Sequence, residues 1–249
     1  MSEGDGKVIG FISVKGGVGK TTTVSNLGVI LTKEHKLSCV AVDCNAGVPN
    51  LGLHLHTADA ENTLQDAIAK VGATLPDAVR IHSSGLHVIP GSMSKTRIKP
   101  GELLAWTNNH IKKYDLVLLD SPPGAGNEPL EIIECSDALI IISSLDFPSV
   151  SAAIKSVKLA EEKEKTVLGI VLNRVRGAGD ELNVKDVKEI ISAPIIGTIP
   201  EDYKVPEAIS RNMPVVLYAP NSPAGKAYRQ LAANLMETDI LKDMGRGSA

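Results

Sequence analysis

The stretch KGGVGKTT, Lys15–Thr22, follows an apolar run and opens a helical pattern, and that setting decides how the rest of the chain is read. Upstream, VIGFISV over Val8–Val14 carries the β-branched Val8, Ile9, Ile12 and Val14, the pattern of a strand buried on both faces of a parallel sheet. Downstream, Val24, Leu27, Ile30 and Leu31 recur at helical spacing within Thr22–Glu34. Between the two, Gly16, Gly17 and Gly19 let the backbone curl so that successive N–H groups converge on an anion, aided by the positive end of the following helix. Lys20 then presents a point charge to β and γ phosphates, and Thr21 a hydroxyl to Mg2+. Residues Lys15, Gly16, Gly17, Val18, Gly19, Lys20, Thr21 and Thr22 are therefore the expected phosphate cradle of a nucleoside triphosphate.

Outward from the loop, apolar runs alternate with helical patterns. Strands are expected at Val8–Val14, Leu37–Asp43, Leu86–Ile89, Leu116–Asp120, Ala138–Ser143, Thr166–Leu172 and Pro194–Thr198. Helices are expected at Thr22–Glu34, Thr63–Lys70, Glu102–Lys113, Pro129–Cys135, Ser149–Glu164, Val184–Ser192, Val205–Asn212 and Ala224–Leu241. This alternation predicts an α/β fold of three layers, a mostly parallel twisted sheet with helices on both faces. With 249 residues and no proline- or serine-rich linker, the chain reads as one domain, with flexible ends at 1–6 and 243–249.

Ligands of such sheets sit at the carboxyl ends of the strands. Asp120 closes the run DLVLLD, the pattern of a carboxylate held at a strand tip beside a magnesium ion. After it, Gly124 can offer its N–H to a γ-phosphate. Asn173 ends the Thr166 strand with an amide suited to a purine edge, and Arg174 follows it. Pro200, Glu201 and Asp202 end the last strand and are expected to complete the base pocket through backbone groups.

The net charge of −3 gives no global attraction to nucleic acid, and aromatics at 3% leave few stacking platforms for single strands. The cluster Lys95, Arg97 and Lys99 is a candidate patch for DNA; a solvated loop is the favoured reading of it, so nucleic acid is the less expected partner. Cys39, Cys44 and Cys135 contain no CxxC pair and read as buried, reduced thiols. His54 and His56 read as loop or surface residues. The N-terminus has no hydrophobic leader and no apolar run approaches the ~18 residues of a membrane span, so a cytoplasmic protein is expected.

Together these residues resemble the MinD/ParA family of deviant Walker A ATPases, over Lys7 to about Leu235 and most closely its MinD-type members. The mark is Lys15, five residues before Lys20; DCNAGVPNLGLHLH, DSPPGAG, VLNR and IPEDYKVPEAISRNMPVV are further family-like segments. The resemblance implies a homodimer sandwiching two ATP molecules, Lys15 reaching the partner's phosphates, Thr21 binding Mg2+ directly, and Asp43 and Asp120 acting through its waters. It also implies a switch that ATP dimerises and hydrolysis dissolves, recruited by a protein activator to a membrane, a nucleoid or a polar structure. The alternative reading is a DNA-partitioning ATPase of ParA type, for which Lys95, Arg97 and Lys99 are the candidate patch. Lys15, Lys20, Asp120 and residue 45 are the expected catalytic set.

The sequence departs from the family at Asn45, where the second Asp of a D-x-D pair usually positions the attacking water. An amide is nearly isosteric with a carboxylate and cannot accept a proton. General-base assistance contributes ~10²- to 10⁴-fold, so hydrolysis is expected to be impaired while binding persists. Two origins fit: a change introduced to trap the ATP-bound dimer, or a natural slow ATPase that signals by occupancy. MinD-type tails commonly form a basic amphipathic helix, whereas METDILKDMGRGSA is neither long nor basic. Leu231, Leu235 and Leu241 are expected to pack on the sheet instead. The closing GRGSA resembles a cloning remnant, and peripheral membrane attachment is expected only of a longer or partnered chain.

Overall fold

The computed structural model describes residues 6–46, 48–58, 62–69, 75–93, 98, 101–111, 113–124, 126–242 and 244. The expected flexible ends lie outside them except for Gly6 and Met244, and Lys95, Arg97 and Lys99 lie outside them altogether. In chain order, the first half comprises β1 (Lys7–Ile12), α1 (Lys20–Lys33), β2 (Cys39–Asp43), α2 (Leu51–His54), α3 (Leu64–Ala69), α4 (Leu75–Ala78), β3 (Arg80–Ile81), β4 (His87–Ile89) and α5 (Glu102–Trp106). A π-helical turn at Thr107–Ile111 leads on to β5 (Leu116–Asp120), α6 (Asn127–Cys135), β6 (Ala138–Ser143), α7 (Phe147–Glu162) and β7 (Thr166–Val175). The chain then forms α8 (Val184–Ile190), β8 (Ile195–Pro200), α9 (Lys204–Ile209), α10 (Val215–Tyr218) and α11 (Pro223–Met236).

The strands form one eight-stranded sheet in the order β3-β4-β2-β5-β1-β6-β7-β8, parallel except for the β3–β4 pair. Alternation along β1 assigns its side chains to two cores. Val8 and Ile12 join Leu64, Leu103, Ile132 and Val157 on one face, while Ile9 and Phe11 join Leu27, Ile30, Tyr228 and Leu231 on the other. Burial on both faces explains why the central strands read as continuous apolar runs. It also places β1, and the loop leaving it, between β5 and β6 at the centre of the sheet.

The three-layer α/β expectation holds, with local corrections. The first strand ends at Ile12 rather than Val14, because Ser13 already turns into the loop, its Oγ donating to the Lys15 carbonyl at 2.9 Å. The terminal helix stops at Met236, and Leu241 reaches the core from the turns beyond it. Leu231, Leu235 and Leu241 are all buried, as are the three free cysteines. The two-residue β3 and the single-turn α2, α4 and α10 are additions to the expected elements, being too short for either periodicity to develop. No helix among the described residues is long and apolar enough to cross a membrane.

His54 corrects the surface reading. It closes α2, and burial pulls its imidazole down to about 4. A histidine that charges more readily unfolded than folded withholds stability as pH falls from its unfolded value near 6.5 to its folded value near 4, by roughly 3 kcal/mol. Burial shifts the carboxylates of Asp43 and Asp120 upward, which acts in the opposite sense over much of this range. The readout is therefore the difference in urea stability between the chain and His54→Gln. The chain's advantage is expected to shrink by that amount between pH 7 and pH 4, and a difference independent of pH would contradict it.

Candidate nucleotide site

The glycine loop leaves β1 and enters α1 through Gly17 at φ 77° and Gly19 at φ 96°, left-handed conformations that side-chain-bearing residues rarely adopt. At Gly19 the requirement is doubled, because an added Cβ would collide with the amide nitrogen of Asn173. That amide donates to the carbonyl of buried Val18 at 2.7 Å, tying the end of β7 to the loop. Lys20 opens α1 and is buried; desolvation lowers its pKa, and only the field of Asp120 opposes this. Among the described residues no ion pair includes Lys20. A desolvated ammonium at a helix N-terminus is a seat for an anion.

Next to it, the Thr21 hydroxyl donates to Asp120 Oδ2 at 2.6 Å, while Asp120 Oδ1 is buried with no hydrogen-bond partner. Burial raises the Asp120 pKa, and Asp43, its register partner on β2, raises it further. A hydroxyl beside an orphaned, desolvated carboxylate oxygen is a hard donor set that fits a magnesium ion. Asp43 is differently employed. Its Oδ1 accepts the Asn45 N–H at 3.0 Å, and its Oδ2 accepts those of Asn50 and Leu51 at 2.9 Å each. Burial raises its pKa against the pull of these three amides. Asp43 thus clamps the loop after β2 onto the start of α2, a role its position at a strand tip did not disclose.

Asn45 sits on that loop, and its Nδ2 donates to the Val48 carbonyl at 2.8 Å. An aspartate has no such donor, so the amide has a structural task of its own here.

Lys15 is also engaged within the chain. Its Nζ meets Asp146 Oδ1 at 2.8 Å, in a half-exposed pair. Asp146 caps α7, accepting the Ser149 N–H at 2.9 Å and the hydroxyls of Ser144 and Ser149 at 2.6 Å each. Burial alone would raise the Asp146 pKa, but the hydrogen bonds from Lys15, Ser144 and Ser149 hold it well below the usual carboxylate range. Asp146 is not among the residues expected at the site, although Asp-Phe-Pro-Ser carries a helix-cap signature with proline in the first turn. Gly124, at φ 114°, directs its N–H toward the Ser13 carbonyl at 3.4 Å.

Where α1 begins, a cavity of about 420 Å3 opens between Thr22, Asn173, Arg174, Pro200, Glu201 and Asp202, with Pro206, Ile209 and Tyr228 among its walls. The structure thus brings all the predicted base-pocket residues together beside the loop. Two of their groups are committed elsewhere. The Glu201 N–H donates to the Val175 carbonyl at 2.9 Å, and the Asp202 carboxylate accepts from the N–H groups of Lys204 and Ala224 at 2.9 and 3.0 Å. These bonds make Asp202 a brace for the starts of α9 and α11.

Residues 9–215 match the family model described as the CobQ/CobB/MinD/ParA nucleotide-binding domain. An uncharacterized ATP-binding protein of Methanocaldococcus jannaschii is 33% identical over 231 residues, 92% of this chain and 87% of the relative. The septum site-determining protein MinD of Synechocystis is 27% identical over 249 residues, covering 94% of this chain and 91% of the relative. MinD of Pyrococcus horikoshii, solved as a complex with Mg-ADP, superposes with a TM-score of 0.87 at 26% identity, covering 97% of this chain and 99% of that one. MinD in a MinC:MinD cell division complex of Aquifex aeolicus superposes with a TM-score of 0.83 at 27% identity, covering 94% and 96%. Because the matched span runs from β1 through the glycine loop and Asp120 to the cavity at Asn173 and Pro200, the chain belongs to the CobQ/CobB/MinD/ParA nucleotide-binding family.

Proposed function

We propose that this chain is a MinD-type ATP switch: one domain that binds Mg-ATP, dimerises around it, hydrolyses it slowly, and thereby positions a cellular structure through a protein recruiter. The observation that carries the nucleotide reading is continuity. Desolvated Lys20 and the Thr21–Asp120 pair with its orphaned oxygen adjoin the cavity through Thr22, which lines it, and through Asn173, which is bonded to Val18 of the loop. A phosphate seat and a base seat thus lie side by side. In this reading Thr21 and Asp120 hold magnesium, whose chemistry when bound is to neutralise developing phosphate charge. Asn173, with one N–H fixed on Val18, turns its remaining amide capacity to the base. The Gly124 N–H leaves its long contact with Ser13 for a γ-phosphate.

The dimer reading rests on Lys15 and its surroundings. Its ammonium is kept in reserve on Asp146, half-exposed rather than buried, so a partner's phosphates can compete for it. Exposed apolar side chains border the same edge of the sheet: Phe147, directly after Asp146, is 75% exposed, and Val48, whose carbonyl holds Asn45, is 65% exposed. The M. jannaschii relative is named as ATP-binding and the A. aeolicus MinD was solved with MinC, which supports ATP as ligand and a protein as partner.

Slow hydrolysis follows from Asn45. Its amide offers no base, and its bond to Val48 gives the residue a reason to be an asparagine. This favours signalling by occupancy over rapid cycling. Light scattering with ADP and with Mg-ATP tests the switch. Mass is expected to double with ATP alone, and an unchanged mass would reject it.

A further inference from the structure

The cavity beside Asn173 shares Asp202 and Tyr203 with a second cavity of about 390 Å3, which also borders Lys204 and Pro220. Tyr203 therefore stands as a partition between the two. Lys204 lines only the second cavity, and its Nζ lies 4.6 Å from the centroid of the Tyr203 ring. The cation over the ring thus belongs to the second cavity, and the first borders Tyr203 without it.

The backbone on either side of the ring and the cation over it are held in place. Lys204 is held by Glu207 at 2.8 Å, and Asp202 braces the backbone on either side through Lys204 and Ala224. Yet the residue is 69% exposed, and no aromatic ring pair among the described residues includes it. A large aromatic face on a braced backbone, left open on a ligand-sized cavity, is a stacking surface for a flat partner.

We propose that Tyr203 is the stacking platform for the nucleotide base, the purine lying on the face opposite Lys204 with Pro206 and Ile209 at its margin. This rests on the reading of the site as an ATP site. It adds a base-binding residue to a pocket expected, from sequence, to consist of an amide and backbone groups. The phosphates lie at the glycine loop, so the ring contributes to base recognition and not to phosphate binding.

Calorimetry of the chain, Tyr203→Ala and Tyr203→Phe, each titrated with Mg-ATP and with Mg-tripolyphosphate, separates these terms. Stacking of a base on an aromatic side chain predicts about 5- to 140-fold weaker ATP binding for Tyr203→Ala, near-parental binding for Tyr203→Phe, and unchanged tripolyphosphate binding throughout. Equal ATP affinity in Tyr203→Ala and the parent would overturn the stacking role alone. A parallel loss of both ligands would overturn it too, since that marks a disturbed fold or phosphate seat. Failure of the unmutated chain to bind ATP would overturn the nucleotide reading, and the stacking with it.

Discussion

Lys20→Met is expected to weaken Mg-ATP binding by about one to two orders of magnitude without destabilising the protein. The side chain is buried at the start of α1, and desolvation lowers its pKa, so in the nucleotide-free chain it carries a penalty that no ion pair among the described residues relieves. Met occupies similar space with no charge to desolvate, and the urea midpoint should stay level or rise. A phosphate seated on the N–H groups of the loop would complete the ammonium, and a hydrogen bond between charged groups contributes about 1.5–3 kcal/mol. Calorimetry checks the first half and urea denaturation the second. Unaltered affinity would remove the phosphate seat from this loop, whereas a large drop in stability would mean that Lys20 is structural.

Asn45→Asp is expected to raise ATP turnover by ~10²- to 10⁴-fold, the usual contribution of general-base assistance. The structure adds a condition. Asn45 Nδ2 donates to the Val48 carbonyl, and a carboxylate placed there would face an oxygen it cannot satisfy. The introduced carboxylate must rotate away, but the Val48 carbonyl keeps its second donor, Asn50 Nδ2 at 3.0 Å, limiting the loss to about 1 kcal/mol. The main-chain N–H of residue 45 remains on Asp43, so the loop keeps its clamp. Phosphate release by the two chains under saturating Mg-ATP is the measurement. Equal turnover would show that Asn45 is not what limits hydrolysis.

The fold was legible because its central strands are buried on both faces. Runs such as VIGFISV and DLVLLD have few other readings; the first leads into the glycine loop and the second ends in Asp120, and both mark a sheet's ligand edge. Lys20, Thr21 and Asp120 followed from that edge, and Asn173 from the strand end beside it. What stayed hidden depends on neighbours that only the folded chain supplies. Asp43 looks like one more carboxylate at a strand tip until the loop folds back and delivers the N–H groups of Asn45, Asn50 and Leu51 to it. Lys15 and Asp146 are remote in sequence and meet because β1 and β6 are adjacent. Tyr203 carries no local signal at all, and its placement between two cavities comes from Asp202 bracing the starts of both α9 and α11.

In the proposed switch Lys15, paired with Asp146 in the single chain, exchanges that carboxylate for a partner's phosphates, and oligomeric mass would report the exchange. Light scattering of the chain and of Lys15→Ala, each with Mg-ADP and with Mg-ATP, should give a dimer only for the unmutated chain with ATP. A monomer under all four conditions, or an ATP dimer that persists in Lys15→Ala, would contradict it.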